Sequence, residues 1–243
     1  MRTSWTFLLG GLLAASPAAS QSQPSPERVR LQLNGTLDTS TFDYTLGVDF
    51  EQYLETASVQ TLVAAEKGVG IDLGVQFRIV GNFGMNASYM SVDRDVTSTL
   101  TASVPHPLYF DQARETTLPL ESIELRERAF LVGLGYVGDG VGWDFAVFAG
   151  VTFARVNVEY ATSIDVDEAY PFDVLDITNV VTTEQSDSSV GFHAMGRIDY
   201  RFARHFGAGA HARYNQSSFT LMGASDDLKI DGLQVAAGLR LYF

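Results

Sequence analysis

The chain has 243 residues, no cysteine and a formal net charge of −13 at pH 7. The acidic balance argues against a nucleic-acid partner, and the lack of thiols excludes a disulfide framework and any thiolate metal centre. A length of this order suits one all-β domain.

The amino terminus combines Arg2, an apolar run from Trp5 to Ala15 and the small residues Ala18-Ala19-Ser20 ahead of the polar Gln21-Ser22-Gln23. This is the pattern of a secretory signal peptide cleaved before Gln21. An uncleaved anchor needs roughly 20 apolar residues, and this run is shorter. Residues 1–20 are assigned to the signal peptide, and 21–27, rich in Ser, Gln and Pro, to a short flexible leader. Cleavage removes Arg2 alone among the charged residues and brings the formal charge to −14. The remainder, 28–243, holds no second candidate for a transmembrane helix, so a mature chain that spans a membrane must be a closed barrel, where every backbone group is satisfied in lipid. Export without cysteine is compatible with an oxidising periplasm.

From residue 28 onward the dominant signal is alternation with period 2. In the first stretch Leu31, Leu33 and Leu37 share one parity, and Phe42, Tyr44, Leu46, Val48 and Phe50 share the other. A bulge at Thr39–Thr41 reconciles them within one strand, whereas a separate hairpin would raise the count from eight strands to ten. Asp38 to Thr41 lacks the Gly or Asn of a tight turn, which favours eight. In "VGIDLGVQFRIV" Val69, Ile71, Leu73, Val75, Phe77 and Ile79 alternate with smaller or polar residues before a turn at Gly81-Asn82. Pairing Ile79 with Phe83 sets Phe77 opposite Met85 and Arg78 opposite Gly84. Phe130, Val132, Leu134 and Tyr136 then lead through Gly138-Asp139-Gly140 to Trp143, Phe145, Val147, Ala149, Val151 and Phe153. Val190, Phe192, Ala194, Ile198, Tyr200 and Phe202 lead through Ala203–His205 to Phe206, Ala208, Ala210, Ala212 and Tyr214. Long connectors are expected at 104–119 and 165–182, and a shorter one at 223–228. The last strand places Leu233, Val235, Ala237, Leu239, Leu241 and Phe243 on one face and Gln234, Ala236, Gly238, Arg240 and Tyr242 on the other.

The faces opposite the aromatics carry Arg78, Arg197, Asp199, Arg201, His211, Arg213 and Arg240 among many glycines. A soluble β-sandwich also alternates and would turn those residues to solvent. Aromatics clustered at strand ends, with short turns on one side and long connectors on the other, fit a lipid-facing exterior around a polar interior. Trp143 to Asp165 and Asp187 to Phe202 exceed the 9–11 residues that cross a bilayer, so they protrude on the long-loop side. The closing "LRLYF", with Leu239, Leu241 and Phe243, looks like the carboxyl-terminal signature that the barrel-assembly machinery reads in Gram-negative outer-membrane proteins. The mature chain resembles the small outer-membrane β-barrel family of the OmpA transmembrane domain and the OmpX-like proteins. That resemblance implies an all-β, eight-stranded, antiparallel up-and-down transmembrane β-barrel in the cell outer membrane, with both chain ends in the periplasm and the long loops outward. It further implies a monomer surrounded by membrane lipid and lipopolysaccharide, the assembly machinery as a partner, and no cofactor. OmpA's peptidoglycan-binding domain has no counterpart after the last strand, so that part of its function is not carried over.

An eight-stranded barrel has room inside for its own side chains only, and charges there must be paired. A lumen network of Arg78, Glu127, Arg197, Asp199, His211 and Arg213 is therefore expected, with Arg197 opposite His211 and Met195 opposite Arg213. A gated small-ion path is the functional alternative. A lipid-modifying enzyme would need a nucleophile beside a rim histidine. His193 has Ser188 and Ser189 nearby, but neighbouring positions on a strand face opposite sides and no orienting third group is evident. No catalytic residue is assigned, and His106 and His205 lack metal-ligand spacing. Tyr109, Phe110, Tyr170 and Phe172, beside prolines in the long connectors, form either an outward contact site or a pair of loops packed on each other. Asp165, Asp167, Glu168, Asp173 and Asp176 fringe them without the ligand series of a calcium-binding loop. The expected function is a non-enzymatic barrel with protruding extracellular strands and loops and an envelope-structural or surface-interaction role. The alternatives are a lipid-modifying enzyme and a narrow channel.

Overall fold

The structure, a computed structural model, describes residues 28–120, 125–224 and 227–243; the expected signal peptide and leader lie outside them. Ten strand segments follow one another: β1 Val29–Asp38, β2 Phe42–Gln52, β3 Glu55–Val80, β4 Phe83–Pro105, β5 Ala113–Leu120, β6 Leu125–Asp139, β7 Trp143–Asp167, β8 Asp176–Arg201, β9 Phe206–Phe219 and β10 Leu228–Tyr242. Segments β1, β3, β4, β6, β7, β8, β9 and β10 pair in a ring of eight that closes where β1 meets β10. Segment β2 continues the line of β1 along β3, and β5 precedes β6 along β4. The architecture is thus a ring of eight strands, with β1 and β2 along one line of it and β5 and β6 along another.

Short turns set most of the local register. Phe77 faces Met85 and Arg78 faces Gly84 as the alternation requires, but Val80, not Ile79, pairs with Phe83, because the ladder slips between Arg78 and Val80 beside the left-handed Gly81. Arg197 faces His211 and Met195 faces Arg213. The turns at 81–82, 140–142 and 202–205 lie at one end of the barrel, where Val29 and Phe243 exchange backbone hydrogen bonds of 3.3 and 3.0 Å. At the opposite end the expected connectors are shorter than their sequence suggested, spanning 106–112 and 168–175. Their β-branched flanks, Thr116-Thr117 and Val180-Val181, have a neighbouring strand to pair with, and pairing removes unsatisfied backbone groups.

The expected bulge at Thr39–Thr41 does not switch faces. Regular pairing breaks there, yet Asp38, Tyr44 and Leu46 all point inward on one parity. The true bulge is one strand away at Glu66-Lys67, where the register slips between Ala65 and Gly68. What changes near Thr39 is the chemistry of the interior. Toward the short turns β1 buries Gln32, Asn34, Thr36 and Asp38 and exposes Leu31, Leu33 and Leu37; beyond them Tyr44, Leu46, Val63, Val92, Leu125, Val156 and Phe219 fill the inside as an apolar plug. Further out the ring opens into two layers. Val59, Leu100, Ala102 and Val104 from the β2–β5 sheet pack against Ala161, Ile164, Val166 and Ile177 of the β7–β8 hairpin. At about 1.5–3 kcal/mol for each large apolar side chain buried, this outer part holds together as a water-soluble β-sandwich does. The sandwich weighed against the barrel from sequence is the arrangement of the protruding half.

Candidate functional site

The inward parity of the barrel strands gathers five buried arginines, Arg30, Arg94, Arg197, Arg213 and Arg240, and five buried carboxylates, Asp38, Asp72, Glu127, Asp144 and Asp199. Asp199 lies at the centre of the lower layer, accepts from Arg30 at 2.6 Å and Arg240 at 2.7 Å, and forms an ion pair with Arg197 at 2.9 Å. Arg30 also reaches Asp144 at 2.7 Å, Arg213 reaches Asp72 at 2.8 Å, and Arg94 lies between Asp38 at 2.9 Å and Glu127 at 3.0 Å. Amides link the layers. Gln234 accepts from Arg213 and donates to Asp38, and Asn34 accepts from Arg240 and donates to Asp72. Equal numbers of opposite charges, each bonded, are what a low-dielectric interior requires.

Of the residues assigned to the lumen from sequence, Arg197 and Asp199 meet, Glu127 pairs with Arg94 and Arg213 with Asp72. His211 is buried beside them, with no hydrogen bond to either ring nitrogen among the described residues. Arg78 stands apart at the short-turn rim, bonded to the half-exposed Asp139. Arg30, Asp38, Asp72, Arg94 and Asp144 were missed, although each lies on the parity opposite its strand's lipid-facing side chains. The Asp199 carboxylate occupies the space over Gly209 where a Cβ would stand. Gly209→Val should therefore displace Asp199 from its arginines and destabilise the barrel by about 1–3 kcal/mol, read as a lowered urea midpoint.

Outside, the apolar surface is bounded by two aromatic rows. Phe83, Tyr136, Trp143, Phe145, Tyr200, Phe202, Phe206 and Phe243 ring the short-turn end and are exposed outward, with Trp143 and Tyr200 4.7 Å apart. A second row, Tyr89–Phe130–Phe153, runs in register across β4, β6 and β7 and continues as Phe192 and Tyr214 on β8 and β9. Ten residue steps separate Trp143 from Phe153; at about 3.3 Å per residue and a tilt of about 40°, that is roughly 25 Å along the barrel axis, the height of a bilayer-facing band. Above the second row the outward residues become Asp93, Arg128 and Arg155. Leu239, Leu241 and Phe243 sit outward within the lower part of the band, on the outer face of β10.

The sequence matches the outer membrane protein beta-barrel domain family over residues 5–240. The chain belongs to that outer-membrane β-barrel family. Similar solved structures include Neisserial surface protein A (12% identity, 88% of this chain and 97% of that one, TM-score 0.49). They also include Ail, the attachment invasion locus protein of Yersinia pestis (10%, 88% and 99%, TM-score 0.39), and the outer membrane protease OmpT of Escherichia coli (9%, 92% and 99%, TM-score 0.41). A comparison with curated proteins returned no match. As an outer-membrane barrel, the protein carries its lipid-facing band between the two aromatic rows, and its apolar-cored half extends beyond the upper row.

The tip of the projecting half ties three loops together. The two-residue turn Tyr53-Leu54, both at positive φ (54° and 65°), brings the Tyr53 hydroxyl to Glu168. Arg114 also donates to Glu168, and to the carbonyls of Phe172 at 3.0 Å and Pro105 at 2.9 Å. His106 packs on Tyr109 and edge-on to Phe172, and its Nδ1 accepts from the Leu108 N–H. The loops pack on one another, yet Phe110 and Tyr170 remain 73% and 82% exposed; Tyr109 is exposed too, and Phe172 is half-buried. Asp165, Asp167, Asp173 and Asp176 surround them, exposed.

Burial works to raise the Glu168 carboxyl, but the Tyr53 and Arg114 hydrogen bonds outweigh it and hold it below its ordinary 4.5; the Glu168 hydrogen bond raises the Tyr53 phenol above 10.0. Glu168 therefore stabilises the clasp above its ordinary value, an effect lost as pH falls through the depressed one. Tyr53 contributes below 10.0, an effect lost as pH rises through the raised value. The distance distribution between spin labels on Leu54 and Leu108 should stay constant between these two ordinary values and broaden only as pH falls well below 4.5 or rises well above 10.0.

Proposed function

We propose that the membrane barrel is an anchor for a non-enzymatic surface-interaction module, whose contact site is the extracellular tip formed by Tyr109, Phe110, Tyr170 and Phe172. The observation that carries this is the coincidence of exposed aromatics with backbone strain: Tyr53, Leu54, Asp111 and Phe172, all non-glycine and all at positive φ, lie at this tip. Strain of about 1–3 kcal/mol per residue persists where the surrounding contacts impose it, typically at functional positions. Supporting a non-enzymatic reading, His193 is buried in the lumen against the Thr152 hydroxyl at 3.1 Å, while Ser188 faces outward and the Ser189 hydroxyl accepts from the Ser218 N–H. Supporting a closed lumen, the ion-pair column is topped by the apolar plug around Leu46, Val92 and Leu131.

The test is partition of whole cells into a hydrocarbon phase. Cells displaying the protein should partition more strongly than cells displaying Phe110→Ser with Tyr170→Ser, at equal surface amounts and with the heat-modifiable band retained. Equal partition would overturn the contact reading and leave the envelope-structural role.

A further inference from the structure

We propose that the outer face just above the upper aromatic row is a binding site for the phosphate group of an outer-membrane lipid, built on Arg128 and Arg155. The two arginines are direct cross-strand partners on β6 and β7, and both are exposed. Ser91 of β4 stands opposite Arg128, and Ser188 of β8 stands opposite Arg155, so one row reads Ser–Arg–Arg–Ser across four strands. Two residues nearer the membrane, in the same four strands and the same register, the row reads Tyr89–Phe130–Phe153–Val190. The rows are about 6–7 Å apart along the strands.

Two like charges directly opposed on one face repel and destabilise the pairing. The protein does little to offset them. Arg155 donates to the Ser186 hydroxyl at 2.7 Å, Arg128 has no hydrogen bond or ion pair among the described residues, and Asp93 on the same face is held by Arg126 at 2.6 Å. An anion shared between the two guanidinium groups removes the repulsion. Phosphate suits it best, since two guanidinium forks flanked by hydroxyls match its several acceptor oxygens. The depth of the site selects a lipid phosphate over a free one: the aromatic row below meets acyl chains while the arginines reach the headgroup. A phosphorylated glycolipid and a glycerophospholipid share this chemistry. The site lies on the barrel wall and is independent of the tip contact.

The test is titration of the folded, full-length barrel in neutral detergent with purified lipopolysaccharide, its enzymatically dephosphorylated form, phosphatidylglycerol and inorganic phosphate. Arg128→Gln with Arg155→Gln should weaken binding of the true ligand by about tenfold or more, and Arg128→Lys with Arg155→Lys should restore part of it. Loss toward lipopolysaccharide, reproduced by dephosphorylation, supports the site and assigns it to glycolipid; loss toward phosphatidylglycerol supports it and assigns it to glycerophospholipid. Equal affinity of wild type and the Gln variant for every lipid, or inorganic phosphate binding as tightly as the lipids, would overturn the proposal. Arg204→Gln at the opposite rim controls for charge, Tyr170→Ser separates this site from the tip, and a retained heat-modifiable band shows that each variant is folded.

Discussion

Asp199→Ala should cost about 3–5 kcal/mol of barrel stability, the range for removing one partner of a buried charge cluster. Its carboxylate is fully buried and bonded to Arg30, Arg197 and Arg240. Without it Arg30 keeps Asp144, but Arg197 and Arg240 retain only the neutral oxygens of Gln32, Gln76, Asn34 and a backbone carbonyl. The lumen then holds five arginines against four carboxylates, an excess of buried positive charge without a partner. Urea unfolding followed by tryptophan fluorescence should show the lowered midpoint and loss of the heat-modifiable band at a lower temperature. If uncompensated charge is the cause, adding Arg197→Met to Asp199→Ala should recover part of the loss; a double variant as unstable as the single one would point to the cavity instead.

The second large effect compares two leucines of one strand. Leu73 and Leu62 both lie on the outer face of β3, 42% and 48% exposed, and accessibility alone makes them equivalent. Leu73 lies between the aromatic rows, where an arginine must enter hydrocarbon at about 2–4 kcal/mol near the midplane. Leu62 lies beyond the Glu66-Lys67 bulge, opposite Thr99 and Thr45 in the projecting sheet, and its exposed surface meets water. Leu73→Arg should therefore impair folding into vesicles severely, and Leu62→Arg should change stability by less than about 0.5 kcal/mol. Comparable losses for both would refute the boundary drawn here between lipid and water.

Much of the molecule is legible in its sequence. Period-2 alternation and short turns are local, so the Phe77–Met85 and Arg197–His211 registers, the outward Leu239, Leu241 and Phe243 and the eight-strand count all followed from spacing. The lumen was legible only by parity. Alternation says that Arg213 and Asp72 each face inward, but they lie 141 positions apart in the chain, and the closure of the ring decides that they meet each other, with Asp199 left to Arg30, Arg197 and Arg240. The apparent parity change between Leu37 and Tyr44 shows the same limit. Sequence by itself determined that each strand has two chemically distinct faces and how neighbouring strands align. Only the tertiary structure decided which medium each face meets, because an apolar side chain seeks lipid outside the membrane barrel and the protein's own core above it, and nothing local in the chain marks where one gives way to the other.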